Sequence, residues 1–119
     1  MTRQELINLC LTLPGAYEDY PFNDDGWCVI RHSQNKKGLA HIYERNDRLC
    51  VNLKCSPAES DFLRQIFADI TPAYHMNKTH WNTVALNGDV PEEELLRLIT
   101  RSFDLIKPQV KRSRHAHSG

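Results

Sequence analysis

Residues 26–55 read GWCVIRHSQNKKGLAHIYERNDRLCVNLKC, and this stretch decides the fold. It holds three runs rich in β-branched, aromatic and aliphatic residues, at 27–32, 39–44 and 48–55. A polar turn region at 33–38, longer than a tight hairpin, separates the first two. Asn46-Asp47 makes a compact turn between the second and third. Connections this short join antiparallel neighbours. The third run alternates cleanly: Leu49, Val51, Leu53 and Cys55 point one way, Arg48, Cys50, Asn52 and Lys54 the other. One face is therefore expected to pack on helices and the other to be polar, as an open antiparallel sheet allows.

Helical signals lie on both sides of this stretch. After it, Ser56 is placed to cap a helix over 56–67, with Pro57 at the first helical position and Glu59 completing a capping box. Phe62, Leu63, Ile66 and Phe67 are its expected buried stripe. Before it, Thr2 and Glu5 form a second capping box, and Leu6, Ile7, Cys10 and Leu13 give a helix over 2–13 one apolar face. Pro14-Gly15 stops that helix. In 16–25, Tyr17, Tyr20 and Phe22 are interspersed with Glu18, Asp19, Asp24 and Asp25. The acids lack the spacing and glycine of a calcium loop, so this reads as a solvated loop whose aromatics pin it to the core.

Residues 70–86, ITPAYHMNKTHWNTVAL, carry the densest unusual chemistry. Thr71-Pro72 breaks the preceding helix, 74–78 is a short strand or an ordered loop, and 80–86 is a strand. Trp81, Thr83 and Ala85 share one of its faces; His80, Asn82, Val84 and Leu86 share the other. Asn87-Gly88 turns the chain, and Asp89 and Pro91 open a last helix whose Glu92, Glu93 and Glu94 complement its dipole. Leu95, Leu96, Ile99, Phe103 and Ile106 are its expected packed face, and Pro108 ends it. The order of elements implies one α+β domain over residues 1–107, a two-layer sandwich of an antiparallel sheet with helices on one face. Residues 108–119 have the composition of a disordered basic tail.

Composition narrows the function classes. The 119 residues carry 15 basic and 15 acidic side chains. The stretch from residue 107 onward holds four bases and no acid, which leaves 11 bases against 15 acids, a net −4, in residues 1–106. An acidic body does not call for nucleic acid or a membrane surface. No apolar run is long enough to span a bilayer, and the N-terminal Met-Thr-Arg-Gln-Glu lacks the apolar core of a signal peptide. A cytoplasmic location, no membrane partner and a monomeric state are expected. Cys10, Cys28, Cys50 and Cys55 form no Cys-x-x-Cys pair and read as free, small apolar residues.

Catalytic patterns are missing. There is no Gly-x-Ser-x-Gly, no glycine-rich phosphate loop and no His-Glu-x-x-His, so no catalytic residue, metal ligand or cofactor is assigned. His75 and His80 are five apart, which on a continuous strand sends them to opposite faces, and no third ligand is evident. Asn52 and Lys54, together with His75, Asn77, Lys78, His80, Trp81 and Asn82, are the candidate site. Lysine and asparagine can meet phosphates or base edges, and tryptophan can stack on a base. The same residues could equally cover a sheet edge and satisfy turn backbone.

Three quoted segments carry a family resemblance. VNLKCSPAE at 51–59 and ITPAYHMNKTHWNTV at 70–84 resemble the MmcQ/YjbR family, as do LPGAYEDYPF at 13–22 and LNGDVP at 86–91. The resemblance covers about residues 2–107. It implies a frataxin-like, CyaY-like α+β fold. It also implies a DNA-binding label whose biochemical basis is poorly defined. Frataxin-like proteins bind iron through acids on the first helix and sheet edge; here that helix offers only Glu5, so iron binding does not carry over. The leading expectation is a non-enzymatic cytoplasmic DNA-binding module. In it Lys54 and Lys78 would meet phosphate, His75 and His80 would add hydrogen bonds, the asparagines would orient and Trp81 would stack. The rival is a small-molecule or protein-binding domain using the same polar face. A third possibility is an enzyme with a histidine acid or base, for which no neighbouring carboxylate is placed.

Overall fold

The computed structural model describes residues 1–22 and 26–109. The expected loop acids Asp24 and Asp25, and the expected tail from residue 110 onward, lie outside them. The elements run α1 (Arg3–Leu11), β1 (Ala16–Asp19), β2 (Cys28–His32), β3 (Gly38–Arg45), β4 (Arg48–Lys54), α2 (Pro57–Ile66), β5 (Ile70–Pro72), β6 (Trp81–Ala85) and α3 (Glu92–Ile106). The six strands form one sheet in the order β1-β2-β3-β4-β6-β5, every neighbouring pair antiparallel. The class is α+β, and its core lies between one sheet face and the helices.

Local chemistry explains the boundaries. Thr2 accepts a hydrogen bond from the Glu5 amide while the Glu5 carboxylate takes the Thr2 amide, so the first capping box is closed. Ser56 caps α2 by accepting the Glu59 amide, but the box expected there stays half-made, since the Glu59 carboxylate takes Arg101 at 3.0 Å rather than the Ser56 amide. Between β3 and β4, Asn46 and Asp47 both adopt positive φ, 53° and 61°, the conformation that matches a two-residue turn to the twist of its strands. At Gly88 a Cβ would overlap the Asp69 carboxylate, which there accepts the Asp89 amide.

Several expectations are corrected. Residues 16–19 are not a loop but an edge strand, β1, paired to β2. Glu18 and Asp19 are strand residues, and Asp19 binds Arg31 of β2 at 2.7 Å. Tyr20 and Phe22 are not core anchors: they are 39% and 61% exposed. In α2, Phe62 and Ile66 face solvent, at 61% and 51% exposure, while Ser60 and Leu63 are buried. The helix is rotated because Ser60 donates a hydrogen bond to buried Asn82 of β6 at 3.0 Å, a polar contact that periodicity does not announce. In α3, Leu98 and Ser102 join the buried stripe and Leu96 leaves it. Asp89 caps no helix; its carboxylate accepts the Ala68 and Asp69 amides at the entry to β5, and α3 starts at Glu92, with Pro91 at the N-cap and no side-chain cap. The second face of β4 is not an open polar surface, since Cys50 and Asn52 on it are buried.

Candidate ligand-binding cleft

Strand register sorts the chemistry onto two faces. Side chains of directly paired residues lie on the same face of a sheet. The helix face carries Ile30, Ala40, Ile42, Val51, Leu53 and Val84. The opposite face carries Val29 beside His41, His41 beside Asn52, Asn52 beside Thr83, Tyr43 beside Cys50, and Lys54 beside Trp81. This outer face is lined with rings. Trp27 stacks on Tyr43 with centroids 4.4 Å apart and planes 7° from parallel. Phe22 meets Trp27 edge-on at 5.9 Å, Tyr43 meets Tyr74 at 5.7 Å, and Tyr74 lies 3.9 Å from His75. Arg45 caps the Tyr74 ring at 4.2 Å, a cation–π contact.

The candidate residues from the sequence divide between these settings. Asn52 is fully buried on the outer face. Its Oδ1 accepts from the Tyr43 hydroxyl at 2.7 Å and the Thr83 hydroxyl at 2.6 Å, and its Nδ2 donates to the Tyr74 carbonyl at 2.9 Å. Asn52 thus holds the 73–80 loop against the sheet. Asn82 points to the helix face instead, accepting from Ser60 and from Arg64 Nε at 2.7 Å. Arg64 also donates to the Lys78 and Trp81 carbonyls, so α2 grips the same loop from the other side. Asn77 closes the loop's turn by accepting the Thr79 and His80 amides. The Lys78 ammonium donates to the Ala73 carbonyl at 3.0 Å, with its side chain at the wall of a separate cleft bordered by α2. His75, Lys78 and His80 are exposed, and Lys54 and Trp81 are half-buried. The structure brings Asn52, Lys54, His75 and Trp81 to the outer face and sets Asn82 on the opposite one.

An open cleft of about 460 Å³ lies on the outer face, lined by Phe22, Trp27, His41, His75 and Met76. Its size falls within the range of small-molecule sites. Of these five described residues four carry rings and none carries a permanent charge. His41 forms its inner wall. Burial, with the nearby Arg31 guanidinium adding to it, pulls the His41 pKa down to about 4, so the imidazole is neutral at physiological pH. The Trp27 indole donates to His41 Nδ1 at 3.2 Å, and the Trp81 ring meets His41 edge-on at 5.6 Å. His75, on the opposing loop, is held in the left-handed region at φ 60°, a conformation infrequent for a residue with a side chain.

Phe22, Trp27, His41 and Met76 were not among the residues that the sequence nominated. Trp27 and His41 are 14 positions apart and meet only through the β2–β3 register. The available signal was the second face of each strand: Trp27, Val29 and Arg31 in one, His41, Tyr43 and Arg45 in the next. The cysteines are poor nucleophiles, because burial pushes the Cys10 thiol up to about 12 and raises Cys28, Cys50 and Cys55 as well. Among the described residues no group of three or more histidine, cysteine or acidic side chains could hold a metal ion. No helix among them is long and apolar enough to cross a membrane.

Comparison with known proteins gives consistent matches. The family model described as YjbR matches residues 11–105. The uncharacterized protein YjbR of Escherichia coli (strain K12) is 36% identical over 103 residues, spanning 87% of this chain and 85% of that one. The uncharacterized protein YyaQ of Bacillus subtilis (strain 168) is 33% identical over 118 residues, spanning 90% and 99%. A crystal structure of a Pseudomonas syringae protein superposes with a TM-score of 0.81 at 34% identity, covering 90% of this chain and all of that one. A Deinococcus radiodurans protein gives the same TM-score and identity, covering 97% and 86%.

Proposed function

The chain belongs to the YjbR family, and we propose that it is a small-molecule-binding module whose ligand is a flat ring held in the outer-face cleft. The observation that carries this reading is the cleft itself: Phe22, Trp27, His41, His75 and Met76 line an open space of ligand size, and none of these described residues carries a permanent charge. A ring buried between such walls gains apolar contact and edge or face interactions that a surface of scattered side chains does not offer. In this reading the four cysteines are packing residues rather than nucleophiles, in keeping with their burial, which raises their pKa values. Four free, buried cysteines suit a reducing compartment, which supports a cytoplasmic location.

Thermal unfolding of the full chain with a panel of bicyclic aromatic compounds tests the reading. Binding raises the midpoint by mass action, and Phe22→Ala abolishes the rise without changing the midpoint of the free protein, because Phe22 is 61% exposed. A panel in which no compound shifts the midpoint, or shifts that survive Phe22→Ala, removes the cleft from consideration.

A DNA-binding reading has one specific observation in its favour: exposed His75, Lys78 and His80 lie on one loop beside half-buried Trp81. In it Lys78 and Lys54 meet phosphate and an unstacked base lies on the outer face. Affinity for single-stranded DNA across a salt series, with and without residues 108–119, decides it. Binding through the domain falls steeply with salt and persists without the tail. No binding at low salt, or binding carried wholly by the tail, removes it.

A further inference from the structure

A second open cleft on the outer sheet face, about 200 Å³ in volume, lies toward the β3–β4 turn and shares no lining residue with the ring cleft. We infer that it is a separate site for the carboxylate group of a small acid, with Arg45 as its counter-ion and Asn46 and Thr71 as further hydrogen-bond donors. Register builds it. Arg45 is paired directly with Arg48, Cys50 with Ala85 and Thr71 with Thr83, and all six line the cleft. Like charges placed opposite each other across two strands destabilise them unless something answers both. Arg48 is answered: it donates to both Asp69 oxygens, at 2.8 and 3.3 Å, and to the Leu86 carbonyl at 2.9 Å. Arg45 is not. Its guanidinium lies 4.2 Å from the centre of the Tyr74 ring, and among the described residues it has no carboxylate partner and no hydrogen-bond acceptor.

Three further features favour a monoanionic carboxylate. The first is charge. Asp69 also lines the cleft, but Arg48 and the Asp89 amide occupy its oxygens, and the Asp89 carboxylate accepts the Ala68 and Asp69 amides. The charged lining residues, Arg45, Arg48 and Asp69, therefore sum to one positive charge, which a monoanion balances and a dianion exceeds. Burial raises the Cys50 thiol on the sheet, and the Arg48 and Arg45 guanidiniums pull it back against a smaller push from Asp69, so both cations are felt there. The second feature is unused donors. Asn46 and Thr71 are exposed, and their side chains make no hydrogen bond among the described residues. The third is shape. A guanidinium fork matches the two oxygens of a planar carboxylate, and a cleft below the usual size of small-molecule sites suits a short acid whose stem rests on Cys50 and Ala85.

Backbone amide shifts of the isotope-labelled full chain, followed at pH 7.5 and constant ionic strength, test this with three probes. Propionate is a monoanion. Propionamide has the same shape and no charge. Inorganic phosphate is mostly a dianion at this pH. Propionate is expected to give saturable shifts at Asn46, Cys50 and Thr71, and propionamide to bind about 10-fold more weakly or worse, the worth of a charge-assisted pair. Phosphate is expected to bind more weakly than propionate. Arg45→Gln, at an exposed position, is expected to bring propionate down to the propionamide level, and Arg45→Lys, which keeps the charge without the fork, to recover part of the loss. Where Arg45→Gln disturbs the fold, Thr71→Val removes an exposed donor and is expected to weaken propionate about 5-fold. Phe22→Ala is expected to change none of this, so a failure of ring compounds to bind leaves this site standing. Equal binding of propionate and propionamide, tighter binding of phosphate, or propionate binding that survives both Arg45→Gln and Thr71→Val overturns the inference. So does the absence of any saturable shift, or shifts confined to His41, His75 and Met76, which would place the acid in the ring cleft.

Discussion

His41 is a histidine whose protonation the fold opposes. Its folded-state pKa is held near 4 by burial, below the unfolded value near 6.5. Between these values the unfolded chain binds the proton and the folded one does not, so stability rises with pH. The contribution is fully present above the unfolded pKa and is lost as pH falls towards 4. The whole shift corresponds to roughly 3.5 kcal/mol at about 1.4 kcal/mol per pH unit, an upper figure for a ring that is not fully enclosed. Urea unfolding at pH 7.5 and pH 4.5 is expected to show this loss in the wild type and a much smaller one in His41→Phe. A wild-type midpoint that does not move between the two pH values would contradict it. Asp69 titrates in a separate window. Its bonds to Arg48 and to the Asp89 amide hold its carboxyl down to about 2, so its stabilisation is lost only under stronger acid.

At the scale of elements, much was readable and one kind of error recurred. Thr2, Ser56 and Asn46-Asp47 act through neighbours a few positions away, and for that reason their roles were legible in the sequence. Helix rotation was not. Periodicity in α2 allowed the stripe Phe62, Leu63, Ile66, Phe67, but the helix settles on Ser60 and Leu63, with Phe67 partly buried, because Asn82 needs a polar partner inside. The difference is measurable. Leu63→Ala is expected to cost about 2–5 kcal/mol, the range for a buried leucine, while Phe62→Ser is expected to stay within about 0.5 kcal/mol. Denaturation of the two variants side by side distinguishes the stripes, and a large loss from Phe62→Ser would restore the one inferred from periodicity. The second face of β4 misled for a related reason. Asn52 looks like surface until β3 and the 73–80 loop supply Tyr43 and the Tyr74 carbonyl, both distant in sequence.

Across the whole molecule, the sheet has a stable middle and two short margins. β3 and β4 are paired on both sides and meet α3, whereas β1 and β5 are four and three residues long and paired on one side only. Short edges with charged residues or proline discourage pairing with other chains, and Glu18, Asp19 and Pro72 supply them here. Amide exchange is expected to be slowest in Ile42 and Val51 and fastest in β1 and β5, by several orders of magnitude if the edges open locally. Uniform protection across the sheet would show instead that it opens only as a unit. The cleft belongs to this scale, since it needs β2, β3, the chain before β2 and the loop before β6 at once. That dependence is why the sequence exposed the family-like 70–86 segment but not the cavity that part of it encloses.

The contacts of His41 have an optical consequence. The chain contains two tryptophans, and both indoles touch this one imidazole, Trp27 through its N–H and Trp81 edge-on. A positively charged imidazole accepts electron density from an excited indole and dims it, whereas a neutral one does so far less. The whole of the protein's long-wavelength emission therefore originates beside a single proton-binding nitrogen pair. Without any added label, the brightness of the molecule reports what happens at one wall of the cleft.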